Sequence, residues 1–424
     1  MPVGCRRSPV GWDNAAVPST LPDGEPVPID GSLPLSAADG LAGRSLSIYL
    51  HVPFCLTRCG YCDFNTYTRG ELGTEASPES WLAAALDEIR LAGRTLRRLG
   101  DSRTVDTVFV GGGTPSLVGA GPLVALLDAV RAEFGLTDAA EVTTEANPES
   151  TDQQFLAGIR AGGFTRLSLG MQSTAPQVLA TLDRTHTPGR PAQVVVWAED
   201  AGFAHVNLDL IYGTPGETDE DFGQSLQAAI DTGVDHVSAY SLIVEPGTRM
   251  ARQVRSGELP MPDDDVLADR YLLAENALDA AGFGWYEVSN WATSAGAQCR
   301  HNLAYWSGDD WWGIGPGAHS HVGGVRWWNV KHPSVYAQRL AAGRTPAHSR
   351  EVLGPDARQI EDVLLRLRLA EGLDLARLDP AGRRRAEQEA VGGLLSPAAL
   401  AAGRLVLTLR GRLLADGLAL RLLG

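Results

Sequence analysis

Cysteine is scarce in this chain: five residues in 424, three of them gathered at Cys55, Cys59 and Cys62. So few thiols, so concentrated, exclude a disulfide framework and point to a reducing compartment, with the cytoplasm as the expected location. Long apolar runs are missing too, and nothing approaches the roughly eighteen consecutive residues needed to cross a bilayer. Arg6 and Arg7 are followed by Pro, Gly, Asp and Asn rather than by the apolar stretch of a secretory signal. Positive charge is in deficit, with 36 Lys and Arg against 51 Asp and Glu and a net charge of −15, which opposes phosphate backbones and anionic membranes. Nucleic acid is therefore not an expected partner. The 44% hydrophobic content can bury a substantial core, and the length suggests two or three domains.

The three cysteines carry the most information. They follow Tyr49-Leu-His51-Val-Pro53-Phe54 with the spacing C-x₃-C-x₂-C. Three thiolates on one short loop can hold three irons of a 4Fe-4S cube and leave the fourth iron open to a ligand that is not protein. A zinc site would use the same thiols but asks for a fourth Cys or His at matching spacing, and no second C-x₂-C or H-x₃₋₅-H pair follows. The spacing, with the preceding Tyr-x-His-x-Pro-Phe, resembles the radical S-adenosylmethionine (SAM) superfamily. That resemblance implies a cluster whose open iron is chelated by SAM, and an electron passed to the sulfonium to give a 5′-deoxyadenosyl radical, the cofactor carrying the difficult step.

Residues 1–44, rich in Pro, Gly, Asp and Ala and without regular period, read as a mobile or loosely docked extension. From Ser47 a unit of β-rich run, turn and amphipathic helix recurs six times. The predicted strands are 47–51, 106–110, 141–145, 166–169, 206–211 and 236–241. Helices are predicted over 78–99, with Ser77 as N-cap, and over 219–231. Such alternation implies parallel strands with right-handed crossovers, an α/β fold that is either barrel or doubly wound sheet. The unusual residues decide for the barrel, because they fall at the C-terminal ends of successive strands, where parallel barrels carry their chemistry. The expectation is a radical SAM partial (β/α)₆ TIM-like barrel over 45–245, an aromatic-rich haem-associated segment over 246–350, and a C-terminal winged-helix-like α+β domain over 351–424.

Gly111-Gly112-Gly113-Thr114-Pro115 after the second strand exposes backbone with no side chain in the way, which suits either a tight turn or close approach of a ligand. In the radical SAM superfamily the corresponding turn receives the SAM ammonium, which assigns that role to Gly112, Gly113 and Thr114. Glu145, Gln172, Arg184 and Asp209 carry hydrogen-bonding groups suited to ribose hydroxyls and a carboxylate. Singly each has an ordinary alternative, such as Arg184 pairing with Asp183 on a solvated helix end. The resemblance to coproporphyrinogen-dehydrogenase-like radical SAM proteins implies SAM contacts for these four, and for Tyr49.

Two features separate the members of that group. The dehydrogenases carry a fourth cysteine two residues beyond the third, whereas haem chaperones of the HemW type carry Phe, as this chain does at Phe64. Cys299-Arg-His301-Asn302-Leu-Ala-Tyr305-Trp306 matches the H-N-x-x-Y-W signature of the chaperones, which implies a haem contact at His301. A neutral imidazole is a good axial ligand for haem iron, and Tyr and Trp offer flat faces to a porphyrin, although so dense an aromatic segment can equally be core. The resemblance implies haem and recipient apo-haemoproteins as partners, an electron donor for the cluster, and a possible homodimer. The alternative is an oxygen-independent coproporphyrinogen III dehydrogenase.

Overall fold

The computed structural model describes residues 24–72, 76–185 and 187–424. Twelve strands form one sheet: β1 Leu46–Val52, β2 Val105–Gly112, β3 Leu136–Ala146, β4 Arg166–Gln172, β5 His205–Tyr212, β6 His236–Ser241, β7 Gly284–Glu287, β8 Asn290–Ala292, β9 Asp310–Ile314, β10 His319–Val322, β11 Val325–Asn329 and β12 Ala347–Val352. Their order is β12-β11-β10-β9-β1-β2-β3-β4-β5-β6-β8-β7. The six expected strands are β1 to β6, all mutually parallel.

A seventh parallel strand, β9, lies against the free side of β1, with Leu46 opposite Asp310 and Leu50 opposite Ile314. Beyond it β10, β11 and β12 run antiparallel, and β8 and β7 extend the other edge from β6. The expected separate segment over 246–350 is thus corrected: its strands belong to the central sheet. Edge strands present unpaired N–H and C=O groups, and this segment satisfies them on both sides of the six-stranded unit.

Alternation of side chains positions everything that follows. Ile48, Leu50, Val108, Val110, Leu167, Leu169, Leu208, Leu210 and Val237 point outward and are almost fully buried beneath the helices. The helix Pro78–Arg98 begins with a reciprocal cap in which Ser77 accepts from the Ser80 amide and Ser80 from the Ser77 amide. It lays Trp81, Ile89 and Leu96 into the core, each burial stabilising by about 2 kcal/mol. The intervening residues of the strands point inward and are mostly polar.

The extension is corrected in part. Residues 1–23 lie outside the described residues, but from Gly24 the chain is docked. Glu25 and Arg350 exchange backbone hydrogen bonds of 2.7 and 3.0 Å, and Ala37 is fully buried. The C-terminal domain has its own core, built on Val363, Leu367, Leu395, Leu405 and Leu418. Helices Pro355–Arg366 and Pro380–Val391 flank an antiparallel pair, Leu373–Asp374 with Arg404–Leu405. Among the described residues the strands of this domain are confined to that pair, and the last element is the helix Ala415–Leu423. Among the described residues no helix is long and apolar enough to cross a membrane.

Candidate functional site

The inward faces of β1 to β6 and the loops after them enclose a cavity of about 730 Å³. Its mouth is the cysteine loop, pinned by the short parallel pairing of Phe54–Cys55 with Tyr67–Thr68. The Gly60 amide donates to Leu182 O at 3.2 Å, and the Met250 amide to Gly60 O at 2.9 Å. Cys55, Cys59 and Cys62 are free, half-buried and all on the cavity wall. Burial pushes the Cys55 thiol up and the Cys62 thiol up to about 11, with the neighbouring thiols adding to both. Among the described residues no three His, Cys, Asp or Glu side chains close on a single point. A cube takes each thiolate on a different iron, and three free thiols on the wall of one cavity fit that donor set.

The glycine turn roots this loop. The Gly113 amide donates to Val52 O at 2.7 Å and the Thr114 amide to Phe54 O at 2.8 Å. A Cβ at Gly113 would lie 2.4 Å from Phe54 O, and one at Gly112, where φ is +111°, 2.6 Å from the His51 ring. Close approach to β1 demands glycine here before any ligand is considered. The Gly112 amide donates to Glu145 Oε2 at 3.0 Å, and Thr114 Oγ1 stands 3.9 Å from Cys55 Sγ.

Glu145, Gln172, Arg184 and Asp209 converge on the same cavity. Glu145 opens only onto it, so burial, reinforced by Asp209, pushes its carboxyl up to about 8. Asp209, in the middle of β5 rather than at its end, is also raised by burial, against donation from Ser168 at 2.8 Å and Asn207 at 2.7 Å. Gln172 holds φ at +65° where the pairing of β4 and β5 shifts register, and its Oε1 has no partner. Such backbone costs about 1 kcal/mol and is found where surroundings enforce it.

Arg184 does not pair with Asp183, which turns out to meet Arg249 at 3.0 Å. It turns inward, placing Nη1 3.6 Å from Cys59 Sγ and Nη2 2.9 Å from Gly170 O, and leaving Nε unpartnered. Burial works against its charge, but Tyr61 and Cys59 more than offset this. Tyr49 joins through its hydroxyl to His51 Nδ1 at 3.0 Å, and His51 Nε2 reaches Asn65 O at 2.9 Å. Burial drives His51 down to about 4, so that it is neutral.

His301 lies at the opposite end of the cavity, on a helix, Arg300–Trp306, that plugs the N-terminal ends of the strands. It is 1% exposed, and burial drives it down to about 3. Both ring nitrogens are engaged, Nδ1 with Thr107 Oγ1 at 2.6 Å and Nε2 with Tyr305 Oη at 2.9 Å. Phe64 stands at the rim of the mouth, exposed.

The floor also holds residues that sequence reasoning missed. Arg166 Nε meets Glu141 Oε2 at 3.1 Å, and Glu141 Oε1 accepts from the His301 amide at 3.1 Å and the Cys299 thiol at 3.6 Å. His236 joins Asn207 to Tyr286 at 2.5 and 2.7 Å. The signal was present: Arg166 and Ser168 alternate with Leu167 and Leu169, and Glu141, Thr143 and Glu145 fall at every second position of their strand.

The unpartnered Gln172 Oε1 and Arg184 Nε, the paired carboxylates and the wall of thiols together fit a polar, partly cationic ligand seated against a cluster. Comparison with known proteins agrees. Residues 49–229 match the Radical SAM superfamily. The chain is 58% identical over 399 residues to the "Heme chaperone HemW" of Mycobacterium tuberculosis, covering 94% of this chain and 98% of that one. It is 35% identical to the protein of the same description from Escherichia coli, over 77% and 83% of the two chains. In fold it is similar to coproporphyrinogen III oxidase (HemN) from Escherichia coli, with a TM-score of 0.76, 23% identity and 92% of both chains covered. With the cysteine loop, the Phe64 departure and the H-N-x-x-Y-W helix all in place, the chain belongs to the HemW family of haem chaperones within the radical SAM superfamily.

Proposed function

We propose that this protein binds haem and passes it to apo-haemoproteins, using a 4Fe-4S cluster held by Cys55, Cys59 and Cys62 whose fourth iron is open to SAM. The observation that carries the site assignment is the single cavity into which the three thiols, two raised carboxyls and two unpartnered polar atoms all open. When bound, the cluster supplies an electron and SAM the group that accepts it; an external donor refills the cluster.

The chain's own residues hold and orient. Gly112, Gly113 and Thr114 line the cavity where the amino-acid end of SAM would lie, with the Glu145 carboxylate behind Gly112 to receive its ammonium. Gln172 and Arg184 offer an acceptor and a donor to its remaining polar groups, and Arg184 also donates to the Cys59 sulfur. Asp209, fixed by Ser168 and Asn207, suits ribose hydroxyls, and Tyr49 offers a flat face. His301 can contact haem iron only in an opened form in which Nε2 leaves Tyr305.

The test is anaerobically reconstituted protein with reductant and SAM, given haem in one vessel and coproporphyrinogen III in another. Haem is expected to be retained and handed to an apo-haemoprotein, with no protoporphyrinogen IX formed. Decarboxylation with SAM consumed would replace this reading with the dehydrogenase.

A further inference from the structure

The H-N-x-x-Y-W helix reaches the opposite end of the molecule through a continuous stack of rings. Thr107 Oγ1 donates its one proton to Ser47 Oγ at 2.9 Å, so it receives the His301 Nδ1 proton rather than giving one. That fixes the tautomer: Nε2 carries the lone pair, and the Tyr305 hydroxyl donates into it. The one atom of His301 that could ligate iron is therefore already used. Tyr305 is itself held edge-on against Trp311, with centroids 4.8 Å apart.

Above His301 the imidazole lies on Phe109, with centroids 5.1 Å apart and planes at 26°. Phe109 lies on Tyr49, at 6.4 Å and 26°. Tyr49 bonds His51, and His51 bonds Asn65 O just beyond the last cysteine. Asn65 Nδ2 in turn donates to Pro316 O at 2.9 Å and Lys331 O at 2.7 Å, tying the loop to the strands beside β9. Ser47, Thr107, His301 and His51 are buried, and Phe109, Tyr49 and Asn65 are half-buried along the cavity wall and the loop that closes it.

We infer that His301 is a positioning residue for the SAM site, setting Tyr49 and the cysteine loop through Phe109. This rests on the proposed SAM role of Tyr49. Loss of the ring leaves Phe109 unsupported on a floor that is otherwise close-packed, and Tyr49 follows it. An aromatic pair contributes enough that its removal is expected to weaken SAM about fivefold.

The experiment titrates SAM into the full-length, anaerobically reconstituted and reduced protein, following the change in the cluster's electron paramagnetic resonance spectrum, for wild type, His301→Ala, His301→Gln and Phe109→Leu. A Gln amide can donate to Thr107 and accept from Tyr305 but cannot replace an imidazole on haem iron. The expected result is full iron content in all four, SAM about fivefold weaker in His301→Ala and Phe109→Leu, and partial recovery in His301→Gln, whose planar amide keeps both hydrogen bonds and a flat group against Phe109 without the aromatic ring. SAM binding like wild type in both His301→Ala and Phe109→Leu would overturn the inference. So would a His301→Gln variant as weak as His301→Ala. A wild type that shows no SAM-dependent spectral change overturns the site reading beneath it, which is a different failure.

Discussion

Glu145 sets up a proton-coupled binding step that can be measured directly. Its carboxyl stands at about 8 because burial and the nearby Asp209 disfavour its charge. At pH 7 about nine in ten molecules therefore hold it protonated. The proposed SAM ammonium arrives at Gly112, whose amide already rests on Glu145 Oε2. A cation there favours the ionised carboxylate and returns the group towards its ordinary value of 4.5. Binding at pH 7 should then release up to about 0.9 proton per SAM, and the release should shrink as pH rises through about 8, where the α-amino group of SAM itself begins to lose its proton. Calorimetry in two buffers of different ionisation enthalpy reads the proton count from the difference in heats. Glu145→Gln should remove this release, which assigns it to that carboxyl. Equal heats in both buffers at pH 7 for the wild type would refute the reasoning. The same linkage acts on stability without ligand. Because the folded value is raised, the stabilising contribution is complete below the ordinary carboxyl range and is lost as pH climbs through about 8. SAM should restore the melting temperature most at the alkaline end.

Cys59→Ala should abolish the cluster absorbance on anaerobic reconstitution while circular dichroism stays unchanged, since the thiol packs no core; unchanged iron content would remove it as a ligand. Arg166→Met leaves Glu141 charged and buried beneath the His301 helix, and should cost about 3–5 kcal/mol in denaturant titration; a loss under 1 kcal/mol would mean that water or another cation replaces the guanidinium. Gly113→Ala drives a Cβ to within 2.4 Å of Phe54 O, and because that neighbour is backbone the cysteine loop must shift. Iron content should drop with little change in the melting temperature, and a variant that loads iron like wild type would show that the loop yields without harm.

Much of the barrel could be read from the chain because its strands alternate. The predicted run 166–169 sits within Arg166–Gln172, and 236–241 matches His236–Ser241. The helix start at Ser77 was legible for a local reason, a reciprocal serine cap followed by Pro78. The seventh parallel strand was not. Asp310–Ile314 has only five residues in a segment crowded with Trp, where period two cannot be told from general burial. The docked part of the extension was hidden differently: Ala37 is buried without any apolar pattern around it, because the partner surface supplies the apolar side. For the site, the cysteine loop was legible from spacing alone. Arg184 was singled out only through the family resemblance, because its own surroundings suggested a pair with Asp183, which instead meets Arg249.

The two ends of the cavity obey opposite rules, and that difference bears on how cargo and cofactor are kept apart. At the mouth polar groups are left short of partners: Gln172 Oε1 and Arg184 Nε have none. A buried group without a partner costs free energy until a ligand supplies one, so this end gains by binding. At the floor most polar groups are bonded, His301 to Thr107 and Tyr305, Glu141 to Arg166 and the His301 amide, and His236 to Asn207 and Tyr286, with Arg166 Nη1 left without a partner. A satisfied network resists intrusion, because a ligand must first break bonds worth about 1 kcal/mol each. Haem can therefore reach His301 only if something lifts the plug helix, whereas a small cation can enter the mouth with the fold as it stands.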